Sequence, residues 1–242
     1  MSTSRSGSGF PRFGVLFAGW LLLGLAACQT SPPAEEVPPP APVTPAEIAI
    51  PAGAREYKVV AEESLLQMFV YRGGAMARLG HNHVIASHQL TGSVYVTDDP
   101  AQTRFDITFP AGELTIDEPA LREQAGPDFS ATVPQSARDG TRKNMLSEAL
   151  LDAEKYPALR LRATDVVVAG EGYDVGVEIT IKDQVRNVRV PVQVTRTDGA
   201  IAASGEFPLK QSDLGLKPFS VGAGALVVID EMRIHFDVMA RE

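Results

Sequence analysis

The stretch "YDVGVEITIKDQVRNVRVPVQV", residues 173–194, alternates apolar and polar side chains for most of its length. Tyr173, Val175, Val177, Ile179 and Ile181 share one parity against Asp174, Glu178, Thr180 and Lys182, and Val188, Val190, Val192 and Val194 repeat the pattern. A period of two means strands with one wet face. Moving outward, Phe105, Ile107 and Phe109 alternate with Arg104, Asp106 and Thr108, and Leu159, Leu161 and Ala163 with Arg160, Arg162 and Thr164. Met232, Ile234, Phe236 and Val238 do the same against Arg233, His235 and Asp237. With 57–62, 65–71, 90–96 and 201–207, these rows make at least eight strands.

Helical signal is confined to the middle, where Met145, Leu146, Ala149 and Leu150 fall at helical spacing between Pro134 and Pro157, with a shorter turn over 118–124. Many short strands with one or two short helices predict an all-β fold, an antiparallel sandwich or barrel. A barrel removes the edges that eight strands would otherwise expose. Its interior, built from Val, Leu, Ile, Met and Phe, is either packed solid or holds one slender apolar ligand. Met68, Met232 and Phe236 suit an adaptable apolar wall as well as a plain core.

The N-terminus carries Arg5 and Arg12, then an apolar or glycine run from Phe13 to Ala27, then Cys28, the only cysteine. Such a run is too short for a membrane span of roughly 20 residues and has the length of a secretory signal core. Leu25-Ala26-Ala27-Cys28 resembles the lipobox of a bacterial lipoprotein. That resemblance implies a signal peptide over 1–27 and acylation of Cys28, so that the membrane is met only through a lipid anchor. Gln29, by the sorting pattern of enterobacterial lipoproteins, implies the outer membrane, facing the periplasm.

Eight of the 23 residues from Gln29 to Pro51 are proline. The segment 28–55 therefore reads as the lipidated cysteine and an extended tether, about 3.1 Å per residue, with the folded domain over 56–242. Removal of 1–27 leaves 20 basic against 30 acidic residues. That balance argues against nucleic acid or an anionic bilayer surface as the main partner. Nothing in the sequence sets an oligomeric state.

Four segments, "GHNHVIASHQLTGSVYV", "EALLDAEKYPALRLRAT", "VEITIKDQVRNVRVPVQV" and "SDLGLKPFSVGAGALVVIDEMRIHFDVMA", in their order and spacing resemble the YceI-like family. The second is similar to that family's short helix ending in Tyr-Pro before a strand. The third is similar to its "LTI.G.TR.V" strand pair, with Asp183-Gln184 where a glycine is usual. The resemblance implies an extended, lipocalin-like antiparallel barrel of eight or slightly more strands. It also implies a long apolar channel for a polyisoprenoid or similar amphiphile, with no catalytic residues to carry over.

Three of the four histidines fall in "LGHNHVIASH", residues 79–88. His81 and His83 share parity with Ala75, Ala77 and Leu79, so an unbroken strand turns both rings inward, with Gly80 a place for a bulge. A turn over 84–87 then returns His88 on the inward row of Leu90, Val94 and Val96. Convergence of His81, His83 and His88 at one end of the barrel suits either of two roles: contact with a ligand's polar head, or binding of Zn²⁺ or Cu²⁺ in a metal-binding or redox-stress protein. His235 falls in a polar row and stays apart.

Ser87 and Ser93 near His88 mimic a nucleophile and base, a weak third reading as a hydrolase. No nucleophile elbow, "HExxH" or phosphate-cradling loop accompanies them, and a non-enzymatic binding protein is the expectation. Asp230-Glu231 sits on adjacent strand positions that point to opposite faces.

Overall fold

The computed structural model describes residues 48–242, so Cys28, the expected signal peptide and most of the expected tether lie outside the described residues. In chain order the elements are β1 (Arg55–Val59), β2 (Leu65–Val70), β3 (Arg72–Gly73), β4 (His83–Ser87), β5 (Thr91–Val96), β6 (Arg104–Pro110) and β7 (Thr115–Ile116). Then come α1 (Pro119–Gln124), α2 (Gln135–Leu146), β8 (Ala158–Ala169), β9 (Gly172–Ile181), β10 (Gln184–Thr197) and β11 (Ala200–Lys210). β12 (Ser220–Val221), β13 (Leu226–Val228) and β14 (Glu231–Arg241) complete the chain.

Eight antiparallel strands, in the order β1-β5-β6-β8-β9-β10-β11-β14, close on themselves where Val59 pairs with Ala240. The period-two rows explain why. Each strand has one apolar face to bury, and closure buries all of them without leaving an edge. Residues 173–194 form the β9–β10 hairpin, joined by Lys182-Asp183, with Lys182 in the left-handed region at φ 57°.

β14 is shared. Its C-terminal end holds β1, and its N-terminal part, Arg233 to Asp237, pairs with β2. Between β1 and β2 the chain makes a short 3-10 turn over Ala61–Glu63. The buried Ser64 hydroxyl donates to Val60 O at 2.7 Å and accepts from Met239 N at 3.0 Å, joining the break to β14. β2 then continues into β4 and β7, a flap that grows out of the barrel wall.

Met145 of α2, with Leu146, Leu150 and Leu151, packs into the main core together with Leu114 and Leu214. This plugs the barrel end at which β9 and β11 finish and β10 and β14 begin. The opposite end carries the turn before β6 and the hairpins β8–β9 and β10–β11. A second, smaller core of Phe69, Val84, Ala86, Leu121 and Phe129 packs α1 against the outer face of the flap.

The barrel's outer face is charged. Arg160 Nε donates to Asp106 Oδ1 at 2.6 Å across β8 and β6, Arg162 pairs with Glu178 across β8 and β9, and Arg189 reaches Asp165 and Asp174. Such an exterior is built for water, because lipid-facing strands carry apolar outward rows. Among the described residues no helix is long and apolar enough to cross a membrane.

Two local expectations fail, both around the histidines. The chain over 74–82 is not a strand: after β3 it turns, makes a 3-10 turn over Ala77–Leu79, and reaches β4 only at His83. Residues 84–87, expected as a turn, are the body of β4, paired with β2 through Phe69↔Val84 and Leu66↔Ser87. Every residue of β4 is buried, because flap, helices and barrel enclose it on both faces, and a fully enclosed strand lacks the alternation that marks a half-wet one.

Candidate ligand cavity and the histidine network

The inward rows do not fill the barrel. A cavity of about 230 Å³ remains along its axis. On β14 its wall runs through Met232, Ile234, Phe236, Val238 and Ala240, which at about 3.3 Å per residue spans roughly 26 Å. A small volume over that length is a slot, suited to a narrow chain rather than a compact molecule. The rows read from sequence on β6, β9 and β14 all contribute to the wall. On β8 the inward row shifts from Ala163 to Val166, since a bulge at Thr164 puts one extra residue opposite β9. Met68, Met232 and Phe236 line the slot.

The histidines stand elsewhere. His83, at the start of β4, donates from Nδ1 to Asp117 Oδ2 at 2.6 Å, and its Nε2 lies 3.1 Å from Thr141 Oγ1 on α2. With Nδ1 donating to the carboxylate, Nε2 is the ring atom that faces the threonine hydroxyl. Asp117 is 2% exposed and sits at φ 57°, a left-handed conformation that Asp tolerates better than most side chains. Its Oδ1 accepts from Val84 N at 3.0 Å and from Arg122 Nη1 at 2.5 Å. Arg122, itself buried, also donates to the carbonyls of Asn82, Phe129 and Ala131 and stacks on the Phe129 ring.

Burial pushes the Asp117 carboxyl up, but hydrogen bonds from His83 and Val84, the charge of His83 and the bond from Arg122 outweigh it and hold the group below its usual range. The line Thr141–His83–Asp117 has the order of nucleophile, base and orienting acid. None of the three lines the slot, and Asp117 is committed to Arg122 and Val84 as well as to His83. The line works as a tie. Together with Arg122, it fastens α1, α2 and the 126–131 loop to β4.

His81 and His83 have ring centroids 6.0 Å apart, and burial, followed by the neighbouring charges of His83 and Arg72, holds His81 below its usual value. His88 lies beyond the other end of β4, five residues and roughly 16 Å along the strand direction from His83. There its Nε2 donates to Glu118 Oε1 at 2.8 Å, and Thr115 donates to the same oxygen. The expected convergence of His81, His83 and His88 therefore does not form: β4 separates what a turn at 84–87 would have joined. Among the described residues no group of three or more His, Cys, Asp or Glu side chains is placed to hold a metal ion.

His235 sits in the outward row, as its parity requires, with Nδ1 donating to Gln67 Oε1 at 3.0 Å. Asp230 accepts from the backbone and hydroxyl of Ser212, and so closes a turn after β11. Asp117, Arg122 and Thr141 carried no signal in the sequence, because each owes its role to partners 5 to 58 residues away.

The family model described as the YceI-like domain matches residues 57–240, the whole barrel and its flap. The chain belongs to the YceI-like family. Among solved structures, Burkholderia cenocepacia BcnA superposes with a TM-score of 0.53 at 19% identity, covering 75% of this chain and 98% of that one, which shows a shared fold. The Campylobacter jejuni YCEI protein gives a TM-score of 0.43 at 15% identity, over 64% of this chain and 81% of that one. A mutant CJ YCEI protein with a monobromobimane guest gives 0.45 at 13% identity, with the same coverage. No curated protein matches the chain by sequence. In this YceI-like domain the apolar interior slot and the His83–Asp117–Arg122 network are separate features, since none of those three residues lines the slot.

Proposed function

We propose that this protein binds or carries an apolar chain, isoprenoid-like or otherwise amphiphilic, inside the barrel, in the bacterial cell envelope and without catalysis. The slot supports the reading: its wall is formed almost wholly by Val, Leu, Ile, Phe and Met and extends for most of the barrel's length. Each CH₂ moved from water into such a wall is worth about 0.8 kcal/mol, so a chain of many carbons is held firmly with no polar contact at all. An empty slot of this kind would forfeit the dispersion contacts that a packed core gains. The lipobox resemblance at Leu25–Cys28 implies a lipid anchor, the proline-rich stretch after it reads as a tether, and Gln29 by the enterobacterial sorting pattern implies the outer membrane, facing the periplasm. Together these fit a binder that stays near the membrane from which its ligand comes.

The full chain, expressed in a bacterium and purified without a histidine tag, should yield close to one equivalent of a long-chain species on organic extraction. Acyl chains on Cys28 are covalent and remain with the protein, so the two lipids are distinguishable by mass spectrometry. The extracted species should persist in the double variant His81→Ala, His83→Ala, since neither ring lines the slot. Stoichiometric Zn²⁺ or Cu²⁺ that disappears in that variant, with no extractable lipid, would overturn the reading.

A further inference from the structure

The inward row of β10, Val188, Val190, Val192 and Val194, continues one step further to Arg196. Arg196 lines the same slot, at the barrel end away from α2, and is exposed. Among the described residues it has neither a hydrogen bond nor an ion pair, although most arginines of the barrel wall are engaged. Thr103, which closes the 3-10 turn Pro100–Gln102 and leads into β6, lines the slot at the same end. Its Oγ1 is buried without a hydrogen-bond partner. A buried hydroxyl is costly when left unpaired, and native structures rarely tolerate one without a reason. The rim beside these two is apolar: Val168, opposite Tyr173 on the inward row, is 67% exposed.

We propose that Arg196 and Thr103 form a head-group subsite at this mouth, which takes the carboxylate or phosphate of an acidic amphiphile whose chain lies in the slot. The proposal rests on the cavity reading above and adds the charge of the ligand. Arginine and a threonine hydroxyl both offer donors, so the complementary group is an acceptor, and a bidentate oxyanion suits the guanidinium fork. The mature chain is acidic overall, with 20 basic against 30 acidic residues. General attraction for anions is therefore absent, and a preference for an acidic ligand has to be local.

The test uses the delipidated full chain and three probes with the same long alkyl chain: the alcohol, the carboxylic acid and the phosphate monoester, with inorganic phosphate as a fourth. Calorimetric titration should show the acid and the phosphate ester binding at least about tenfold more tightly than the alcohol, since a charge-assisted hydrogen bond is worth that much. Arg196→Gln, at an exposed position, should remove the preference and leave alcohol binding unchanged. Thr103→Val should weaken the acid and, by removing an unpaired hydroxyl, raise the melting temperature of the ligand-free protein. Equal binding of acid and alcohol, or a preference that survives Arg196→Gln, would overturn the subsite while leaving the cavity reading intact. Inorganic phosphate binding as tightly as the ester would also overturn it, by showing an anion site independent of the chain. Failure of every alkyl probe to bind would overturn the cavity reading, and the subsite with it.

Discussion

Asp117 is the residue on which the flap's attachment depends, because four groups from two segments, β4 and α1, converge on its side chain and backbone: His83 Nδ1, Val84 N–H and Arg122 Nη1 on the carboxylate, and Val84 O, which accepts from the Asp117 N–H at 2.8 Å. Asp117→Ala removes the partner of a buried arginine and should cost about 3–5 kcal/mol in urea denaturation. Asp117→Asn keeps the left-handed backbone and part of the hydrogen bonding and should cost less. The pH dependence has a definite sign. The carboxyl's folded pKa lies below its ordinary 3.8, so its share of stability is present above that pH and is lost as pH falls through the lower folded value. His81, held below its ordinary 6.5 chiefly by burial, acts in the same direction: the unfolded ring takes up its proton first, so acidification through that range favours unfolding. In Asp117→Asn the step below pH 3.8 should be missing and the higher one retained, as read by denaturation midpoints across pH. The histidines were visible as candidates in the sequence, but their partners were not. Nothing local to "LGHNHVIASH" says that the rings are bound to Asp117, Thr141 and Glu118.

At the scale of elements, the strands with one wet face were legible and the enclosed one was not. β6, β8, β9, β10 and β14 each show a period of two, because water on one side and the slot on the other sort their side chains. β4, enclosed on both faces, reads "HVIAS" without alternation, so nothing in its pattern distinguishes it from a turn. The bulge at Thr164 was hidden for a related reason: its register depends on β9, which the local sequence does not specify. β5 depends on a glycine in a way that can be tested. Gly92 lies at φ +133°, and a Cβ there would fall 2.0 Å from the Asp106 carbonyl oxygen of β6. Backbone cannot yield as a side-chain tip can, so Gly92→Ala should destabilise the barrel by roughly 3 kcal/mol or more. A thermal shift of only a degree or so would mean that β5 and β6 are not so closely apposed.

At the scale of the whole molecule, the closed barrel has a charged exterior and an apolar slot within, and the N-terminal sequence implies a lipid anchor. Membrane attachment should reside in Cys28 alone. Cys28→Ala should move the protein from the membrane pellet to the soluble fraction, because the charged outer face of the barrel offers bilayer no apolar belt. The presence of a slot inside the barrel could not be read from sequence, since a filled barrel and a hollow one alternate alike. The difference lies in how side-chain volumes add up across eight strands. The most direct measurement is to fill the slot and ask whether ligand is lost. Ala203 lines it on β11, opposite Val194 and Val238. Ala203→Trp should place an indole in the space that the chain occupies. The account predicts that extractable lipid falls from near one equivalent to near zero while the purified variant remains folded, with a melting temperature at or above that of the delipidated parent. A folded Ala203→Trp protein that still retains a full equivalent of lipid would contradict it.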